Sequence, residues 1–558
     1  MVYSREHGFL FIHIQFSITY GALVVPAKFL IDPVPTYVAL ETGFGLLHYG
    51  AAGVALTYLF RKSGAQRSAP FAILFSMKRL LAALVLVASI ALADDVGQSP
   101  LIFREDWTAT PPSLPLTQRD VVNPQVAVAL HGPGAGLIKK SFHDAREWDA
   151  HYIWSGLTQG TWAVTLSLKS GTLMDLSTQA TVRWRSQQSG FRELRLVVGL
   201  ADGSWLVSDE SDTATTNWRV HEFSLTDMHW RQLNIDTVTE SRWAKSVDLS
   251  RVRAIGFTDL MAGGRSTACS RLDWIEVYGQ RVVEGPTELF ILSGQSNMVG
   301  WGNSLELGSV ARFGHDNRLV MYEGGEWQNL KPFKEPAKNQ REGWSITERT
   351  FGPEIGFAHA LAEAWPDKKI GIVKQAVGGT GIMAWAPEWN KADADLTNDA
   401  AKGSIYKELI EKVRAAKKSG NVAIRGFVWL QGGKDMISMK TANRYADNLK
   451  ALVAAVRRDV GVPDLPVLIG TYRQGDIPDS FDGVDITTFK YESDKPRPGA
   501  LTVMKAQTDA PNYIANSKVV ILRDLPTHPN NIHANTEGMR KAGQAYAATY
   551  LESFSAKK

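Results

Sequence analysis

Cysteine is nearly missing from this chain. Among 558 residues there is one, Cys269. A single thiol excludes an intrachain disulfide framework, and cysteine spacing offers no metal site. Excess charge of either sign is also lacking: the formal net charge is +4, and Lys and Arg are scattered rather than clustered. A surface of that kind gives nucleic acid little to hold, so no nucleic-acid partner is expected. The composition is otherwise that of a folded chain, 44% hydrophobic and 21% charged. A length of 558 residues exceeds what one core organises, which predicts two domains or more. The one excess is tryptophan, 17 in all. Such rings serve a core or stack on the faces of sugars.

Long hydrophobic runs are confined to the first hundred residues. Met77-Lys78-Arg79 precedes the apolar run Leu80–Ala93, which ends Ala91-Leu92-Ala93 before Asp94-Asp95. A basic start, an apolar stretch of secretory length and an Ala-x-Ala-like end describe a signal peptide over 77–93. Translation is then expected to start at Met77, with 1–76 an over-extension of the gene. The protein would be secreted or periplasmic, with no stable membrane anchor after cleavage. A rival reading takes 8–31, 43–60 and 77–93 as membrane spans, against Pro26, Lys28 and His48, which interrupt the first two.

From 94 to 285 the texture is alternating. Thr161–Leu168, Thr181–Arg185, Leu194–Val198 and Arg271–Tyr278 carry the period of two of half-buried strands. Turn signals such as His131-Gly132-Pro133-Gly134 separate them. The expectation is an all-β, jelly-roll-like sandwich. Trp148, Tyr152, Trp154 and Trp162 lie close enough in sequence to line a glycan platform, or else divide between core and surface.

From 286 to 558 short apolar runs alternate with helical spacing. Runs at 289–293, 370–377, 425–430, 466–470 and 518–523 predict five strands of a parallel sheet covered by helices on both faces. Catalytic groups on such sheets stand beyond the strands' carboxyl ends. After the first run comes Ser296, after the second Gly378-Gly379, after the third Gln431, and before the last helical stretch His533. A hydroxyl, glycine N–H groups, an amide donor and an imidazole are the parts of acyl transfer: nucleophile, oxyanion hole and base.

Five blocks in this order resemble the SGNH hydrolases, in their sialate O-acetylesterase and acetylxylan esterase branch (carbohydrate esterase family 6). They are Gly294-Gln295-Ser296-Asn297-Met298, Phe351-Gly352-Pro353-Glu354, Ala376-Val377-Gly378-Gly379-Thr380 with Trp385, Trp429-Leu430-Gln431-Gly432, and His533-x-Asn535-x-x-Gly538. The resemblance covers about 287–553. It implies a flavodoxin-like three-layer α/β/α hydrolase domain, an acetylated poly- or oligosaccharide substrate, and neither metal nor organic cofactor. It further implies Ser296 as nucleophile and His533 as base; His528, five residues earlier in the sequence, is the competing base. The Ser296 N–H, the N–H of Gly379 or Gly378 and the Gln431 side chain would form the oxyanion hole.

The acidic partner of the histidine is where the chain departs from that branch. The usual aspartate three residues before the histidine is Asn530, and the usual glutamate after the Gln-Gly pair is Gly433. Replacing aspartate by asparagine in a serine protease triad costs roughly 10⁴ in turnover, about 5.5 kcal/mol. Three readings follow: a dyad oriented by Asn530, a triad completed by Asp435 or Asp524, or a decayed enzyme that only binds glycans.

Overall fold

The computed structural model describes residues 99–142, 151–263, 267–334, 337–339, 344–346, 348–485, 497–529 and 533–555. The signal-peptide segment and its membrane-span alternative, Trp148 and Asn530 lie outside the described residues. Among the described residues no helix is long and apolar enough to cross a membrane.

Residues 101–282 build two antiparallel sheets, one of six strands and one of nine. Alternation decides what faces inward. Val182 and Trp184 from the first sheet and Leu194, Leu196 and Val198 from the second meet in one closed core, each fully or almost fully buried. Trp162 and Tyr152 are buried too. Of the described candidates for a glycan platform, Trp162 packs into the core, Tyr152 is covered by Trp218 on the outer face, and only Trp154 keeps partial exposure. Several polar groups in and around this core are paired locally. The Trp184 indole N–H donates to Asp212 at 2.9 Å, and Arg192 pairs with Asp259 at 2.7 Å.

The described residues from 287 onward form a layered α/β arrangement around one main sheet. Its strands are β1 (Thr287–Gly294), β2 (Leu319–Glu323), β3 (Glu326–Asn329), β4 (Ile370–Ala376), β5 (Val422–Leu430), β6 (Val467–Arg473) and β7 (Ser517–Arg523). They lie in the order β3-β2-β4-β1-β5-β6-β7, and every pairing is parallel except β2 with β3. Seven strands stand where five were expected. The two extra ones, at 319–323 and 326–329, are joined by the turn Gly324-Gly325 and add an edge hairpin. The five anticipated runs are β1, β4, β5, β6 and β7, and among themselves they follow the order 2-1-3-4-5.

A strand buried on both faces needs apolar residues along its centre, and Leu289–Leu292 of β1 show it. Leu289 and Ile291 enter one core with helices α2 (Ile405–Lys418), α3 (Tyr445–Val460) and α4 (Ala500–Thr508). Phe290 and Leu292 enter the opposite core with α1 (Pro353–Ala364) and α5 (Thr536–Phe554). Helices α1 and α5 approach backbone to backbone. A Cβ at Gly543 would stand 2.2 Å from the Pro353 carbonyl oxygen, and one at Gly356 2.4 Å from that of Arg540. The β-rich part is joined along a seam where Thr172 Oγ1 donates to Asp367 at 2.5 Å and Asn317 N–H donates to Gln280 at 3.0 Å.

Because the α1–α5 crossing leaves no room for a methyl group, Gly543→Ala should destabilise the chain by about 1–3 kcal/mol. Thermal denaturation checks this; an unchanged Tm would mean that the two helices are free to separate.

Candidate active site

The chain leaves β1 for β4 on one side of it and β5 on the other, which opens a crevice at the strands' carboxyl ends. There β1 ends in a tight turn. Gly294 has φ +153°, and a Cβ on it would stand 2.1 Å from the Leu430 carbonyl oxygen. Gln295 N–H donates to that same carbonyl at 3.0 Å. One helical turn, Ser296–Val299, follows and ends at Gly300, whose φ is +101° and whose absent Cβ would stand 2.1 Å from Gly352 N. Ser296 sits at the start of this turn, half-buried.

Two sets of bonds hold the turn from beneath. The Gln295 side-chain oxygen accepts the Gly432 N–H at 3.2 Å and Gln431 Nε2 at 3.3 Å. The Lys374 ammonium donates to the Val299 carbonyl at 2.8 Å and to Glu354 at 2.7 Å, while Glu354 accepts the Gly352 N–H at 2.9 Å. Burial pushes the Lys374 ammonium below its ordinary value, and Glu354 opposes that shift. Sequence reasoning picked out Glu354 only as part of a block and passed over Lys374. A lysine inside an otherwise apolar strand, Ile370–Val373, was the signal available.

His533 is brought to this turn by its neighbours. The Ala534 N–H donates to Asn297 Oδ1 at 3.1 Å, so the residues that follow Ser296 and His533 are directly bonded. The Thr536 hydroxyl oxygen accepts the Asn303 N–H at 2.8 Å, a second clasp between the same segments. The His533 ring is half-buried with its centroid 5.1 Å from that of Trp301. His528 Nε2 lies 2.9 Å from the Trp301 carbonyl oxygen, which can only accept, so that nitrogen carries the proton. Asn297 and Trp301 were not foreseen as positioning groups.

Gly378 and Gly379 are exposed at the mouth, with Gly379 at φ +65°. The Gly378 carbonyl accepts from Lys402 at 3.2 Å. Since C=O and N–H of a trans peptide point oppositely, the Gly379 N–H is turned away from Lys402. The loop is pinned further by Asp399, which accepts the Gly381 N–H at 2.8 Å.

Two sequence-based assignments are corrected. Gln431 is buried, and its Nε2 donates to Asp435 at 2.7 Å and to the Thr380 carbonyl at 2.8 Å. Both amide protons are spent inside the protein, so its carboxamide braces the crevice instead of donating into it. Asp435 is fully buried, and its carboxylate takes Gln431 Nε2 and the Ile382 N–H at 3.0 Å. Ile382 and Met436 belong to the core on the α2–α3 face, whereas Ala534 beside His533 belongs to the opposite one. Asp435 is thus a buried bracket on the far side of the sheet from the His533 loop and does not orient that ring. Asp524 is exposed and accepts the Gly475 N–H at 3.1 Å. Among the described residues no cluster of His, Cys, Asp and Glu is disposed to hold a metal ion.

Residues 286–552 match the family described as carbohydrate esterase, sialic acid-specific acetylesterase. This segment is similar to that family. A protein of Arabidopsis thaliana named as a probable carbohydrate esterase is 26% identical over 291 residues, which are 48% of this chain and 92% of that protein. The crystal structure of a protein from Arabidopsis thaliana is 20% identical and covers 48% of this chain and 100% of its own, with a TM-score of 0.36. That of a carbohydrate acetylesterase from Xanthomonas citri is 15% identical, covers 72% of each chain and has a TM-score of 0.34.

Burial raises the Asp435 carboxyl from 3.8 to about 7, with the Gln431 and Ile382 hydrogen bonds opposing. A carboxyl raised in the folded state adds stability below its unfolded value, and that contribution is lost as pH climbs through the folded value. The family segment should therefore lose stability between pH 4 and 7 through this group, and Asp435→Asn should flatten that part of the profile. Urea denaturation across the range measures it; identical slopes would mean that Asp435 is not so enclosed.

Proposed function

We propose that this chain is a carbohydrate O-acetylesterase working through an acetyl-enzyme on Ser296, with His533 as general base. The match of residues 286–552 to a carbohydrate esterase family supports the reaction class. The observation that carries the residue assignment is the Asn297–Ala534 hydrogen bond, which holds the two reactive side chains on adjoining backbone.

In this reading the His533 imidazole takes the Ser296 proton as Oγ attacks the acetyl carbonyl carbon. The developing oxyanion is received by the Ser296 and Gly379 N–H groups, with Gly378 the alternative, since Gln431 has no proton to give. Fixed donors aimed at that oxygen are worth several kcal/mol of barrier because they need no reorganisation. The tetrahedral adduct collapses, the C–O bond to the sugar breaks, and the imidazolium returns its proton to the leaving sugar hydroxyl. Water then attacks the acetyl-serine with the same imidazole as base and releases acetate. The chain would act outside the cytoplasm after cleavage near Ala93, with residues 94–285 and 286–558 as its two domains. A decayed fold that only binds glycans is the second reading, favoured by the asparagine at 530.

Purified protein should release acetate from 4-nitrophenyl acetate and from an acetylated xylan, and Ser296→Ala should lower kcat by about 10³-fold or more. Equal release by both proteins would overturn the serine assignment. Asn530→Asp restores an anion at the usual position and should raise kcat roughly tenfold or more. An unchanged or lower rate would show that another group supports the imidazole.

A further inference from the structure

Away from Ser296, a cleft of about 1010 Å³ lies on the nine-stranded sheet, between the turn at 201–204 and the edge strand Thr239–Trp243. That volume is at the upper end of ligand clefts, roughly 300–1,000 Å³, and suits a chain of several units better than a single small molecule.

Trp243 and Trp205 border it. The Trp243 indole is 49% exposed although the Arg231 guanidinium lies 4.0 Å over one face, so the opposite face is the open one. Trp205 is held more firmly. Its six-membered ring occupies the space that a Cβ at Gly199 would need, at 2.7 Å, and the Arg253 guanidinium lies 4.8 Å from its centroid. A large aromatic plane left in water at a concave site is costly unless something covers it in use.

Between the rings the lining is polar. Gln232 spends its side-chain oxygen on Arg242 at 3.0 Å, and Asn234 spends its own on the N–H groups of 236 and 237. Both carboxamides are thereby fixed with their NH₂ groups as donors. The charges nearly cancel, Asp202 and Asp248 against Arg242, Lys245 and Arg251. A cleft with indole planes, fixed neutral donors and little net field suits an uncharged polyhydroxylated chain, not an anion and not an apolar peptide.

We infer that this cleft binds a neutral oligosaccharide segment, holding the glycan whose esters are cut at the Ser296 mouth. The choice of a glycan over other neutral ligands rests on the proposed esterase activity; the cleft itself does not.

The test uses the Ser296→Ala chain, so that no ester is turned over, in calorimetric titrations with xylohexaose, cellohexaose and an acetylated xylan. At least one should bind, and Trp243→Ala in the same background should weaken it about tenfold or more, as loss of a tryptophan anchor does. Trp154→Ala, on the other sheet, should leave binding unchanged. In the chain with Ser296 intact, Trp243→Ala should slow acetate release from the polymer and leave 4-nitrophenyl acetate hydrolysis as it was. Failure of all three ligands to bind, or equal binding by the Trp243 variant, overturns the cleft. Binding that depends on Trp243 in a protein that releases no acetate would uphold it and sink the esterase reading alone.

Discussion

Ser296 stands where it does because no Cβ stands at 294 or 300. At the first position the chain of β1 passes 2.1 Å inside where a side chain would meet the Leu430 carbonyl, and at the second it turns against Gly352. Both glycines have positive φ, which L side chains seldom adopt, so a substitution would meet strain and collision together. The backbone closeness bought there has a purpose. It lets one helical turn be gripped by strand ends on both sides, by Gln431 and Gly432 from β5 and by Lys374 from β4.

That grip is made of buried polar groups, and its strength comes from their being mutually satisfied. Glu354 and Lys374 form an ion pair that also caps two backbone groups, so removing either partner would strand the other's charge in a closed interior at about 3–5 kcal/mol. Asp435, Gln431 and Thr380 form the matching bracket on the other side. These networks do no chemistry. They fix the positions of a hydroxyl and two amides against one another, and a displacement of about 1 Å in such a site costs as much as losing a chemical group.

How much of this was legible in the sequence depends on the length scale. The five core strands could be read because a strand covered on both faces must be apolar along its centre, and Leu289 through Leu292 are. The edge hairpin at 319–329 escaped because an edge strand needs less apolar length, and Glu326-Trp327-Gln328-Asn329 reads as loop. Ser296 and His533 are singled out in the sequence by their place after a strand end and before a helix. Gln431 and Asp435 were misassigned for one shared reason: sequence shows that a polar residue follows a strand, not which way its protons point. The tryptophans of the β-rich part mislead in the same manner. Trp162 fills the core while Trp243, far from the group that drew attention, faces solvent, because alternation on a strand is set by register, which spacing among aromatics does not reveal.

The fate of the two rival carboxylates bears on what kind of catalyst this is. Asp435 is enclosed on the opposite face of the sheet, and Asp524 is exposed with its oxygen on the Gly475 N–H. Position 530, three residues before the histidine, carries an amide where the resembled branch has an anion. An amide can fix the tautomer of an imidazole by hydrogen bonding, but it adds no attraction to the positive charge that grows as the ring takes the serine proton. The Trp301 ring, tilted with its centroid 5.1 Å from that of His533, is one described neighbour able to favour a cation, at roughly 0.5–2 kcal/mol. That recovers only part of the roughly 5.5 kcal/mol an aspartate supplies. In the proposed esterase, the cleft inferred on the adjoining β-rich part would offset that loss by keeping the glycan close for longer, without touching the chemistry.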